Sequence, residues 1–219
     1  MQRNQNLEAG YSIVDGSRTY TASAFSDDIS NARFLMSGSQ GGFAPNDVLL
    51  DLNSRGVVFN AGNFRRTGAS VSATQALGDK SEVSIAAGRA SALVAHELTS
   101  ANAQDLRNAI HASPRAWVTM RASTTVPVVG THLTASYGWT DFRTLVPMHY
   151  SLTSGVNQEI GWNARVRQPL PGFCGMRMEA VAELRNLLAQ GYLPVGPSER
   201  RNVLTNSPRA VRGSLNFIF

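Results

Sequence analysis

The sequence predicts an all-β fold, an antiparallel meander of about nine strands that crosses a membrane. Three observations support this prediction. Apolar and polar residues alternate along most segments, short turns alternate with long polar connections, and no apolar run reaches the roughly 20 residues that a membrane helix needs. A helical membrane protein is therefore excluded.

The composition narrows the possible partners. The 219 residues carry a formal net charge of +5 at pH 7, and nearly all basic residues are arginine, since Lys80 is the one lysine. These arginines are spread along the chain rather than clustered in a patch, which argues against nucleic acid as a partner. Cys174 is the single cysteine, so no disulfide can form within the chain.

The strands are predicted from the period-two alternation of apolar and polar residues. This alternation is clearest in the sixth strand, where Leu133, Tyr137 and Trp139 share one side and polar residues occupy the other. One side of the strands is therefore expected to face an apolar medium. The segments lie at about residues 7–13, 18–24, 57–77, 83–89, 115–122, 132–140, 159–167, 176–185 and 209–219.

The connections alternate between short turns and polar segments of roughly 15 to 30 residues. Transmembrane barrels sort their connections in this way, whereas a soluble Greek-key sandwich has no physical reason to do so. A short helix is expected near residues 103–110, inside the second long connection. The long connections are predicted at about residues 27–56, 95–114, 141–157 and 187–202.

Charged residues test which side faces lipid, because an arginine at the bilayer midplane costs about 2 to 4 kcal/mol. Arg65 and Arg89 lie on the apolar side, towards the loop ends of their strands, where a guanidinium can reach lipid headgroups or lipopolysaccharide. A β-bulge near Arg89 is also considered. The other strand charges fall on the polar side, which is predicted to line a lumen: Glu8, Glu82, Arg115, Arg121, Glu159, Arg165, Arg167, Arg177, Glu179, Glu183, Arg185 and Arg212.

The seventh and eighth strands predict a specific register. If they pair symmetrically about Gly172, Arg165 lies opposite Glu179 and Glu159 lies opposite Arg185. Two ion pairs on the lumen wall would then fix the register. The alternative is that these four residues are solvated wall charges without a specific role.

The chain ends on an apolar face. Val211, Leu215, Phe217 and Phe219 share one side of the final strand, and the last residue is aromatic. Such an ending suits a strand that closes a membrane barrel, with its last residue in the lower aromatic girdle. A terminal strand of a soluble sandwich is the alternative.

An odd number of strands cannot close an antiparallel barrel, and an open edge cannot stand in lipid. Either one strand is misjudged, or residues 1–219 form one partial barrel domain, the C-terminal part of a larger outer-membrane barrel. No signal peptide follows Met1. Taken alone, the chain would then stay in the cytoplasm. As part of a longer exported chain it needs no signal of its own, and its expected location is the bacterial outer membrane.

Two segments, Glu183–Tyr192 and Pro208–Phe219, resemble the final two strands of TonB-dependent outer-membrane receptors, and most closely those of the Oar-like group. Asn60–Phe64, followed by Thr67 and Gly68, is similar to an inner strand of that group. The resemblance implies a barrel of about 22 strands, of which this chain is the last part. It also implies a plug domain that is absent from these residues.

The resemblance further implies function and partners. The barrel would take up a bulky solute of unknown identity, contact outer-membrane lipid and lipopolysaccharide, and reach the TonB complex only through the missing N-terminal plug. Leu215, Phe217 and Phe219 would form the C-terminal signal that the barrel-assembly machinery reads. Neither cofactor nor metal is implied.

The sequence motifs argue against an enzyme. No P-loop, G-x-S-x-G elbow, H-E-x-x-H helix or C-x-x-C pair occurs, and Ser100 stands where a second metal-binding His would follow His96 and Glu97. Aromatic residues in the long connections are candidate ligand contacts, although anchoring of the loops explains them equally well. These residues are Phe43, Phe142, Tyr150 and Tyr192.

Two other functions stay open at this point. The chain could form a small passive or structural outer-membrane barrel, or, in a different class, a soluble β-sandwich that binds a ligand.

Overall fold

The computed structural model describes residues 2–37, 48–50, 56–95, 102–140, 144–145, 160–173, 176–195, 202–205 and 208–218. Within these ranges the chain is all-β apart from one short helix. No helix in this part of the chain is long and apolar enough to cross a membrane. The elements are β1 (Arg3–Asp15), β2 (Arg18–Ser37), β3 (Val48–Leu50), β4 (Val57–Ala76), β5 (Ser81–Ala95), α1 (Ala103–Ala109), β6 (Ile110–Thr125), β7 (His132–Thr140), β8 (Gly161–Phe173), β9 (Met176–Arg185), β10 (Tyr192–Val195), β11 (Asn202–Thr205) and β12 (Ala210–Ile218).

The strands form one antiparallel sheet that follows the chain. Neighbours run from β2 through β4, β5, β6, β7, β8 and β9 to β12, and β1 pairs with β2. Short turns join the strands at one end of the sheet, which we call the turn end, and long connections join them at the other, the loop end. The predicted meander and its strands are confirmed.

The short helix is also confirmed, and its start has a local cause. Asn102 caps α1, and its Oδ1 accepts a hydrogen bond from the backbone N–H of Asp105 at 2.8 Å. Arg107 then fastens the helix to the sheet, since its Nε donates to the carbonyl oxygen of Asn60 at 3.0 Å and its guanidinium lies 5.6 Å from the Phe59 ring centre.

The predicted boundary of the second strand is wrong. β2 continues through Asp27 to Ser37, whereas a loop was expected from Asp27. The register shifts between Ile29 and Ala32, where Asn31 has a φ of 54°, so the inward positions change from odd to even. This bulge ends the simple alternation while the strand goes on.

Three short strands lie in segments that were expected to be loops. β3 pairs with β4, and β10 and β11 form a hairpin whose second strand joins β2 beyond β1. The bulge considered near Arg89 is absent, because β5 keeps an unbroken register with both β4 and β6. Arg89 therefore lies on the outer face, opposite Ala69 and Ala116.

The two faces of the sheet differ in the side chains that they expose. The outer face exposes large apolar side chains, such as Val71 at 61%, Met120 at 50% and Phe217 at 53%. The inner face buries small polar residues, among them Thr119 at 2%. Hydroxyl pairs link strands on that inner face, as between Ser23 and Ser70, whose Oγ atoms are 3.0 Å apart.

A cluster of buried apolar side chains lies at the loop end of the inner face. The distal parts of β2, β4 and β5 meet α1, β10 and β11 there, which brings segments far apart in the chain together. We call this group the loop-end cluster. Its buried members are Ile29, Ala32, Phe34, Met36, Val57, Phe59, Ala61, Leu93, Ala103, Leu106, Ile110, Leu145, Leu193, Val195 and Leu204.

Candidate functional site

The inner face of β8, β9 and β12 carries the densest charge of the described sheet. Because the inward positions alternate, five arginines and two glutamates share this wall. We call it the arginine wall. Its charged members are Arg165, Arg167, Arg177, Glu179, Glu183, Arg185 and Arg212.

The predicted register of this wall is wrong. Arg165 lies opposite Glu183, not Glu179, and Glu159 is outside the described residues. The turn was expected at Gly172, but β8 runs on to Phe173 before the chain reverses. The register shifts near Pro171, a residue that has no N–H to give to the ladder. Since the displacement along β9 is an even number of residues, each side chain keeps its predicted face.

Glu179 has a different partner from the one predicted. Arg167 donates two hydrogen bonds to it, from Nε to Oε1 and from Nη2 to Oε2, each 3.0 Å long. Asn216 of β12 adds a longer contact from Nδ2 to Oε2 at 3.5 Å. This fork, across neighbouring strands, holds β8, β9 and β12 in one register.

Glu183 is held within its own strand. The Arg185 guanidinium donates from Nη2 to Glu183 Oε1 at 2.9 Å. Arg185 was predicted on the lumen wall opposite Glu159, and the structure places it on the inner face with Glu183 as its partner. Both glutamates of the wall are therefore already engaged by arginines.

A second charged pair lies on the inner face of the other half of the sheet. Asp27 and Arg66 are directly opposite on β2 and β4, their side chains are each 1% exposed, and their nearest charged atoms are 4.0 Å apart. The Arg66 guanidinium also lies 5.0 Å from the Phe25 ring centre. The sequence did not predict this pair, because the expected loop begins at Asp27.

A usable signal for that pair was present in the sequence. Asp27 and Asp28 form an acidic doublet, and Arg65 and Arg66 form a basic one on a strand expected nearby. Antiparallel pairing sets such doublets face to face, one couple on each side of the sheet. Arg65 does meet Asp28 on the outer face at 3.5 Å.

The predicted ligand contacts in the loops are mostly not described. Phe43, Phe142 and Tyr150 are outside the described residues. Tyr192 begins β10, and its hydroxyl accepts a hydrogen bond from the backbone N–H of Arg209 at 3.0 Å. That bond ties the hairpin to the start of β12.

A buried asparagine shapes the chain between β9 and β10. Asn186 has a φ of 47° and is fully buried. Its N–H donates to Asn163 Oδ1 at 2.8 Å, and its Oδ1 accepts from the N–H of Gln190 at 2.9 Å. This turn directs the chain from the end of β9 into the β10–β11 hairpin.

The residues expected to form a C-terminal assembly signal are on the outer face where they are described. Leu215 is 62% exposed and Phe217 is 53% exposed, both on β12, while Phe219 is outside the described residues. Among the residues whose placement is known, no three His, Cys, Asp or Glu side chains lie close enough to hold a metal ion.

Comparison with known proteins gives no assignment. No family model matches the chain, and no curated protein matches it.

Proposed function

We propose that this chain is part of the wall of a bacterial outer-membrane β-barrel, of the TonB-dependent receptor type that takes up a bulky solute. The single observation that carries the proposal is the outward apolar face, on which Val71, Met120, Trp162 and Phe217 are all more than two fifths exposed. In water such a surface is unfavourable, at roughly 25 cal/mol per Å². In a bilayer the same surface is solvated by acyl chains.

The strand directions support a barrel that needs further strands. The path from β1 to β12 contains an odd number of consecutive antiparallel strands, so these two run in the same direction. Within the described residues β1 pairs only with β2, and β12 only with β9. An antiparallel closure therefore requires an odd number of additional strands between them, since lipid tolerates no open edge.

The receptor type rests on the resemblance of Glu183–Tyr192 and Pro208–Phe219 to the end of such barrels. In this proposal, lipid and lipopolysaccharide cover the outer face, and Arg65 and Arg89 lie near the headgroups. The barrel-assembly machinery reads the last strand. The plug that contacts TonB belongs to sequence outside residues 1–219.

The proposal is tested in cells that make the protein at its full natural length. We expect it in the outer-membrane fraction after a carbonate wash, with a faster gel mobility before boiling than after. Recovery from the soluble fraction, with no change on heating, would favour the β-sandwich alternative instead. The reading frame upstream of Met1 should encode a plug, and its absence would favour a small passive or structural barrel.

A further inference from the structure

We propose that the arginine wall is a binding site for an anionic solute, held chiefly by Arg165 and Arg212. This inference deepens the proposed function, on which it rests, because it names the chemical class of the solute inside the barrel. The charges in the sequence are mixed along the polar face and favour neither an anion nor a cation. The pairing seen in the structure decides between them.

The acidic residues of the wall are already neutralised. Glu179 accepts both bonds of the Arg167 fork, and Glu183 accepts a bond from Arg185. Arg165, Arg177 and Arg212 form no ion pair with any described residue. Five arginines against two glutamates leave three positive charges on this wall.

Two of these free arginines are spaced for a ligand with more than one acidic group. Arg165, Glu183 and Arg212 lie in one row across β8, β9 and β12. Two strand spacings separate the backbones of Arg165 and Arg212 by about 10 Å. Both side chains are exposed, so a solute can reach them.

The guanidinium group suits carboxylate, phosphate and sulfonate ligands. Its planar fork donates two parallel hydrogen bonds to two oxygens of one acid group. The next carboxylate in the row is Glu82, on β5, three strands from Arg165. At roughly 14 Å that carboxylate is too distant to neutralise Arg165.

The outer face of the same three strands is apolar, so a ligand can reach the site only from the inner face. Trp162, Val166, Leu215 and Phe217 point outwards, and no charged residue lies on that face among the described positions. An anion therefore meets these arginines only from the inside of the barrel. A cation is repelled by the same wall.

The experiment uses the full-length protein in detergent, with pyranine as the probe. Pyranine is a rigid fluorescent trisulfonate whose acid groups are separated by a distance comparable with that between the two arginines. Fluorescence polarisation at physiological ionic strength measures its affinity. We expect Arg165→Gln with Arg212→Gln to weaken binding at least tenfold.

A matched control removes the same charge from the other face. Arg65→Gln with Arg89→Gln deletes two exposed outer arginines and should leave the affinity within about twofold, because the screening length at physiological salt is about 8 Å. Equal losses in the two double variants would show an effect of net charge alone and overturn the site.

A third variant is expected to bind pyranine more tightly, an effect that a folding defect would not produce. Glu183→Gln removes the carboxylate between Arg165 and Arg212, and we expect it to tighten pyranine binding. Weaker or unchanged binding would contradict the site. Gel mobility before and after heating, on the same preparations, separates the two proposals. A barrel that shifts but binds without regard to these arginines loses only the anion site, whereas a protein that does not shift loses the proposed function as well.

Discussion

Two neighbouring ion pairs show how different the two faces of this sheet are. Asp27–Arg66 and Asp28–Arg65 join the same strands at consecutive positions, yet the side chains of the first are each 1% exposed and those of the second are 57% and 71% exposed. The first pair is enclosed by the inner face, with the Phe25 ring beside it. The second lies on the outer face, near the middle of the same two strands.

A similar division recurs along the strands from β4 to β9. Inward positions bury hydroxyl groups together with apolar side chains such as Phe25 and Trp117, whereas outward positions expose aliphatic and aromatic side chains such as Val71 and Trp139. Large apolar side chains in such number on an exposed face are unusual for a soluble sheet. On the proposed function, the medium outside the sheet is the less polar one, and the predictions below test that claim.

The largest expected effect separates the two ion pairs. Asp27→Asn leaves the Arg66 charge buried without its carboxylate, and loss of one partner of a buried pair costs about 3 to 5 kcal/mol. Asp28→Asn should cost about 0 to 1 kcal/mol, as at exposed pairs. Urea titration of the full-length protein in lipid vesicles measures both free energies of unfolding. Similar losses would mean that the inner pair is not enclosed.

The next effect tests the medium on each face directly. Met120→Arg places a guanidinium on the outer face of β6, and should cost about 2 to 4 kcal/mol in a bilayer. Ser123→Arg, on the inner face of the same strand and opposite Glu82, should stay within about 0.5 kcal/mol. The same titration reports both values. If Met120→Arg were as harmless as Ser123→Arg, the outer face would be in water.

A smaller effect compares glycines on the two faces. A Cβ added at Gly88, on the inner face, would lie 2.8 Å from Trp117 Cζ2 and would also meet the Ala69 carbonyl oxygen, so Gly88→Ala should cost about 1 to 3 kcal/mol. Gly213, on the outer face of β12, has no atom within 4 Å of such a Cβ, and Gly213→Ala should change stability by less than about 0.5 kcal/mol. A neutral Gly88→Ala would show that the inner face is loosely packed.

The smallest effect concerns register rather than stability. With Cys174 changed to Ser, cysteines at positions 165 and 183 should form a disulfide on oxidation, because these residues are opposite each other. Cysteines at 165 and 179 should stay reduced, since four residues along a strand span roughly 13 Å. Mass spectrometry of the digested protein distinguishes the two. A cross-link only in the second variant would restore the register predicted about Gly172.

Periodicity predicted the strands and their faces well because a period of two is a local signal. It could not fix the register of β8 and β9, since any even displacement leaves the same residues on the same face. It also lost β2 from Asp27 onwards, and the bulge at Asn31, which exchanges inward and outward positions, hid the remainder of the strand. The strand itself continues there through Phe34 and Met36, both buried.

The loop end and the candidate site were harder to predict, because they depend on pairing between segments that are far apart in the chain. β11 pairs with β2, which lies far earlier in the chain, and no local sequence pattern predicts that contact. The charged residues of the arginine wall were identified correctly as inward-facing, but which glutamate each arginine engages depends on the register and on side-chain reach. Arg167 rather than Arg165 grips Glu179 for that reason.

The most direct measurement compares two adjacent residues of β7 in lipid vesicles. Ala135 is exposed on the outer face and Thr134 is half-buried on the inner face. Each is changed to cysteine in a Cys174→Ser background and labelled with bimane. If the outer face lies in lipid, we expect doxyl-labelled phospholipids to quench the label at 135 and dissolved iodide to quench the label at 134. Iodide quenching at 135 without lipid quenching would contradict it.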